Sequence, residues 1–148
     1  MSLGCVQDRV LMTFFEDGTA YEYFPGQEPA TNVGWLDEGH GYPMGPVPRA
    51  FVETLSGLCR VGVLPMRGVH YCDLCTPKRE RRSYADLVST VVQSSAGDYY
   101  VGNAEIRVPR SNGVPYAAPN MVIHYVVVHG YCPPEGFIEA VLSLDPSS

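Results

Sequence analysis

Short apolar blocks, broken every few positions by glycine, proline or charged residues, run through this chain, and their period changes from block to block. Val10-Leu11-Met12-Thr13-Phe14-Phe15 is apolar and strand-like. Glu16-Asp17-Gly18-Thr19 follows as a turn in which Asp-Gly supplies a positive φ, and Tyr21-Glu22-Tyr23-Phe24 resumes the alternation until Pro25-Gly26 stops it. This pattern predicts a hairpin or two edge strands. Thr31-Asn32-Val33-Gly34-Trp35-Leu36 predicts another strand, with Trp35 buried. Phe51, Leu55, Leu58 and Cys59 recur at helical spacing instead, predicting a helix from about Pro48 to Arg60. Proline suits its start, where the missing N–H would have no partner anyway.

Met66 to Tyr71 reads as a short strand leading into Cys72. Tyr84 to Gln93 fits two patterns: Leu87, Val88, Val91 and Val92 share a helix face, yet the β-branched run favours strand. Tyr99 to Val101 and Ala104 to Val108 are strand-like, and after the turn at Pro109 to Gly113 the stretch Val114 to Ala117 returns, giving a second hairpin. Pro119 is placed to begin a helix that buries Met121, Val122, Tyr125 and Val128. Pro133-Pro134 introduces a last helix carrying Phe137, Ile138, Val141 and Leu142. The expected architecture is α+β: a small single domain, 1–148 with its ordered core at about 10–143, built of short antiparallel hairpins and about three helices.

Composition narrows the functional classes. A chain of 148 residues with 45% apolar content is long enough for one real core. The net charge of −6 argues against a duplex nucleic-acid footprint. No apolar run approaches the length of a membrane span, and no apolar signal segment opens the sequence. An odd number of cysteines, five, with no such segment points to the cytoplasm, where thiols stay reduced and free to bind metal.

The chemistry is concentrated in two places. Cys72 and Cys75 are two residues apart, and His124 and His129 stand in an H-x4-H spacing. Both are metal-ligand spacings, and together they supply the four thiolate and imidazole donors of a structural zinc site. Residues 76–123 separate the halves, so the site would clamp the domain rather than form a self-contained finger. Residues five apart on a regular helix are rotated by about 140°. Both histidines reach one Zn2+ only if the helix loosens at its end, which Gly130 permits. Asp73 and Leu74 need only form the turn between the thiols. His70 and Cys132 are rival ligands, and a redox dithiol or a pair of buried thiols are rival readings of the cysteines. His40, in a polar loop, is expected to be solvated rather than to join a site.

Three function classes remain. A four-ligand zinc is closed and inert, which favours a protein-interaction or regulatory module with a protein partner over an enzyme. A zinc hydrolase would keep three of the ligands and a water, with Glu105 as base, but neither H-E-x-x-H nor the deaminase pattern is present. A weak nucleic-acid patch would draw on Lys78 to Arg82, Arg107 and Arg110, against the net charge; as a solvated loop the basic run needs no such role.

Taken together, Phe14-Phe15-Glu16-Asp17, Asn32 to Leu36, Gly39-His40, Arg67 to Cys75, Gly102 to Val108, Tyr116 to Pro119, His124-Tyr125, His129-Gly130-Tyr131 and Pro133-Pro134 resemble a family of short bacterial, mostly actinobacterial, proteins with no assigned function. The resemblance runs from about Thr13 to Val141. It implies a small soluble zinc-binding module and gives no mechanism. The stretch from Thr76 to Tyr100 is longer than the resemblance leads us to expect.

Overall fold

Ile106, Val108, Tyr116 and Ala118 share one face of a three-stranded sheet, and their alternation with Glu105, Arg107 and Ala117 divides the domain into two packed sides. The computed structural model describes residues 14–21, 28–65, 71–75, 90–111 and 113–144. Its elements are β1 (Thr31–Asn32), α1 (Arg49–Val61), β2 (Val91–Val92), β3 (Tyr99–Tyr100), β4 (Glu105–Val108), β5 (Tyr116–Pro119), α2 (Val122–His129) and α3 (Glu135–Leu142). The fold is α+β, as the periodicities imply. The sheet order is β1-β5-β4, with β5 antiparallel to β4 and parallel to β1, while β2 and β3 form a separate antiparallel pair.

The larger core lies on the Ile106 face. Phe51, Leu55 and Cys59 of α1 meet Phe137 and Val141 of α3 and Val122, Ile123 and Tyr125 of α2. Phe137 stands edge-on to both Phe51 and Tyr116, at 6.1 and 5.5 Å between ring centres. On the opposite face Trp35, Tyr21 and Ala30 cover Ala117, and the Trp35 indole N–H donates to the Ala117 carbonyl at 3.0 Å. Glu105 is fully buried there. Its carboxylate accepts the Tyr21 hydroxyl at 2.8 Å and Arg107 at 2.9 Å, and the guanidinium lies over the Tyr21 ring.

Several expectations are corrected. The Asp17-Gly18 turn forms, but its arms pair with the next segment: Phe15 bridges to Trp35 and Ala20 to Thr31. The strand expected over Thr31–Leu36 is only Thr31–Asn32, because Gly34 at φ 79° leaves the extended region. Pro119 ends β5 opposite Glu105 instead of opening a helix; the helix begins at Val122, after Asn120. The Asn120 side chain accepts from the Gly102 N–H at 2.8 Å and donates to the Cys59 carbonyl, tying the start of α2 to the end of α1. Val128 faces outward, 57% exposed, whereas Ile123 and His124 are buried. The run Val91–Val92, which fitted both patterns, is strand. The earlier part of that stretch, the strands expected from Val10, Tyr21 and Met66 for the most part, Cys5, His70 and the basic run Lys78 to Arg82 lie outside the described residues.

Candidate metal centre

α2 carries a run of β-branched residues that disfavours helix, so its position depends on what holds its two ends. At the N-terminal end Asn120 supplies the tie. At the C-terminal end Gly130 turns left-handed at φ 70°, and its N–H reaches the Tyr125 carbonyl five residues back. The Tyr131 N–H bonds to the same carbonyl at 3.1 Å. The last turn is therefore wider than a regular α-turn, which is the loosening that an H-x4-H pair needs to converge.

A short strap fixes that end. The Tyr42 hydroxyl donates to the His129 carbonyl at 3.2 Å, the Gly45 N–H to Gly130 at 3.1 Å, and the Cys132 N–H to Pro43 at 2.9 Å. Tyr131 is buried and donates its hydroxyl to Asp17 at 2.7 Å. In the sequence the strap is only a continuation of the polar loop that holds His40. Its tyrosine among glycines and prolines was the only available signal.

The knuckle at residues 72–75 arrives from the other side. Cys72 and Asp73 are buried, Leu74 packs on the core, and Cys75 is exposed, so Asp73 and Leu74 anchor the turn as well as forming it. The Cys75 N–H points at Cys72 Sγ, 3.4 Å away. Cys75 Sγ lies 3.3 Å from His124 Nε2 and 3.3 Å from His129 Nε2, and Cys72 Sγ lies 3.4 Å from His129 Nε2. All four donor atoms fall within 4.8 Å of one another. Around a tetrahedral ion with Zn–S of 2.3 Å and Zn–N of 2.05 Å, sulfur and nitrogen are about 3.6 Å apart. The observed spacings are close to that value, so the cluster is able to hold a metal ion.

The electrostatics fit the same use. Burial, reinforced by the neighbouring His129, lowers His124 to about 4, and burial also lowers His129, so both imidazoles are neutral at pH 7 with lone pairs available. Burial and then the nearby Cys75 push the Cys72 thiol up to about 12, against the pull of the knuckle N–H groups. A buried thiolate there needs a cation beside it.

The other named residues are elsewhere. Cys132 directs its sulfur to the Pro133 carbonyl and is not in the cluster. Cys59 is buried in the core. His40 is a half-exposed loop residue whose Nδ1 is 2.8 Å from Asp37, with its ring stacked on Phe14. Glu105 is committed to Tyr21 and Arg107. The Arg110 guanidinium lies over Tyr116 and bonds to Val114 and Thr31.

Fold and cluster define a small α+β domain in which a Cys2His2 set joins a knuckle to a helix end. The chain belongs to the family described as Domain of unknown function (DUF7919), which matches residues 13–142. No curated protein and no solved structure matches it.

Proposed function

We propose that Cys72, Cys75, His124 and His129 bind one structural zinc ion, and that the closed domain is a protein-interaction or regulatory module of the bacterial cytoplasm. The observation that carries the zinc reading is the convergence of four thiol and imidazole donors within 4.8 Å of one another, with three sulfur–nitrogen distances of 3.3–3.4 Å, from segments about fifty residues apart. Two thiolates and two imidazoles suit zinc over the oxygen-seeking cations. Four protein ligands leave no position for a reacting water, and Glu105, the base a hydrolase would need, is committed to other partners. Reduced thiols are a condition of the site, which favours a reducing compartment. Among the described residues no helix is long and apolar enough to cross a membrane.

The interaction reading draws on the surface beside the metal centre. Val127 and Val128 are 59% and 57% exposed at the end of α2. They flank a cleft of about 380 Å³ shared by Val52, Ile123, Val91 and Val92. An apolar rim over a cleft lined mainly by valines and Ile123, with Ser56, Gln93 and His124 among them, suits a largely apolar segment of a protein partner. Arg107 and Arg110 are held over tyrosine rings, which weakens the nucleic-acid alternative.

Two experiments test the proposal. Protein stripped of metal and dialysed against zinc should retain one ion per chain by elemental analysis, and Cys72→Ser should retain none; no retention by the wild type removes the zinc reading. A pull-down from the source cells should recover a protein that Val127→Glu combined with Val128→Glu loses. An unchanged set of proteins, or none, contradicts the interaction reading.

A further inference from the structure

The two sulfurs of the cluster differ in a way that a purely structural site does not require. Cys72 is fully buried, while Cys75 is exposed at the tip of the knuckle. Both lie within 4.8 Å of each other, and the Cys75 N–H already points at Cys72 Sγ. Solvent therefore reaches one sulfur, and the other waits directly behind it. An accessible nucleophilic sulfur with a resolving sulfur beside it is the arrangement that oxidation by a peroxide uses.

We propose that Cys75 is a site of oxidation by hydroperoxides, with Cys72 as its resolving thiol, so that oxidation ejects the zinc and unclamps the domain. The inference rests on the zinc reading above. A lone pair on Cys75 Sγ attacks the outer oxygen of a hydroperoxide ROOH; the O–O bond breaks, and the alkoxide takes a solvent proton to leave as ROH. Cys75 is now a sulfenic acid. Cys72 Sγ attacks Cys75 Sγ, the S–S bond forms, the S–O bond breaks, and hydroxide leaves with a second solvent proton as water. Two thiolates, one hydroperoxide and two protons thus give one disulfide, one alcohol and one water. Two electrons pass from the sulfurs to the peroxide, and the zinc ion departs to solvent because its two anionic ligands are gone.

The topology makes this step consequential. The disulfide closes only the short loop from Cys72 to Cys75, and a crosslink over so few residues constrains the unfolded chain little. The zinc ion, in contrast, holds that knuckle against His124 and His129 on α2. Oxidation exchanges a long-range clamp for a local one. It releases the knuckle from the C-terminal turn of α2, which the strap still holds, so the surface that changes is the one beside the exposed Val127 and Val128. Cys59 is sealed in the core, and Cys132 lies outside the cluster, so neither is needed.

Zinc-loaded protein is treated with hydrogen peroxide in the presence of a chromogenic zinc chelator, and the product is alkylated and mapped by mass spectrometry. One zinc released per chain, with a mass about 2 Da below that of the reduced form on the single peptide that holds both Cys72 and Cys75, is the expected result. Cys132→Ser should release zinc at the wild-type rate. Cys75→His, which keeps a fourth ligand as a third nitrogen but removes the exposed sulfur, should slow release by roughly tenfold or more. If that variant fails to fold, the disulfide map of the wild type decides alone. Zinc that stays bound under excess peroxide, or release accompanied by a disulfide to Cys59 or Cys132, overturns the proposal while leaving the zinc site standing. A protein that binds no zinc at all removes the zinc reading and this inference with it.

Discussion

Gly34 is where the path of the chain most tightly constrains the placement of α2. Its φ is 79°, and a Cβ built there would lie 2.7 Å from Val122 Cγ2 and 3.3 Å from Val122 Cβ, at the first residue of the helix that carries both histidines. A branched side chain with one preferred rotamer in a helix does not swing away cheaply. Gly34→Ala therefore adds two costs: about 1–2 kcal/mol for an L-residue in the left-handed region and about 1–3 kcal/mol for the forced contact. The sum, about 2–5 kcal/mol, corresponds to a fall in Tm of roughly 6–15 °C for a domain of this size. Gly18 is the internal control. It has φ 92° with nothing within 4 Å of its built Cβ, so Gly18→Ala carries the backbone cost alone. The assay is thermal and urea unfolding at fixed zinc, followed by the buried Trp35. Adding Val122→Ala to Gly34→Ala removes the obstructing methyl, and we expect the pair to be about 1–3 kcal/mol more stable than the sum of the single effects. If Gly34→Ala is no worse than Gly18→Ala, or if the two sites add without coupling, the close approach does not set the position of α2.

Three further outcomes are expected. If the proposed site binds zinc, Cys72→Ser or Cys75→Ser should lower stability by several kcal/mol in the presence of zinc, since metal binding then adds to the folding free energy; an unchanged urea unfolding curve would contradict this. Tyr21→Phe deletes a hydrogen bond to the buried Glu105 carboxyl group and should cost about 1–3 kcal/mol in urea unfolding, with zinc content unchanged. The metal-free protein should lose stability as acid is added: with His124 held at about 4 against its ordinary 6.5, the unfolded chain binds more protons throughout that window. The His124 contribution is complete above about pH 6.5 and is lost as pH falls toward 4. Urea midpoints between pH 7.5 and 4.5 check the sign, and His124→Asn should flatten the slope over that range.

What the sequence made legible was chemistry with a fixed spacing. Cys72, Cys75, His124 and His129 stood out in the sequence as a candidate ligand set, because thiol and imidazole pairs at those intervals suit a metal, and the structure brings the four together. The helix of Phe51, Leu55 and Cys59 and the hairpin of Ile106 and Tyr116 were equally readable, since each keeps one period throughout its length. Less legible were features set by tertiary contact. Val128 was assigned inward on helical periodicity, but α2 widens at its end and turns Val127 and Val128 to solvent. Glu105 entered the sequence reading as the base of a hydrolase; its pairing with Arg107 and its bond to Tyr21, 84 residues away, are set by the fold. The strap of Tyr42, Pro43 and Gly45 secures the turn at His129 and Gly130 through the Tyr42 hydroxyl and, beyond that, through backbone groups, which carry no side-chain signature in a sequence.

The most direct test of the metal centre is X-ray absorption at the zinc edge on protein reloaded with one equivalent of zinc. We expect two sulfur neighbours at about 2.3 Å and two imidazole nitrogens at about 2.0 Å, with no oxygen in the shell. A shell without two sulfurs, or one in which water replaces an imidazole, would contradict a closed site made of Cys72, Cys75, His124 and His129.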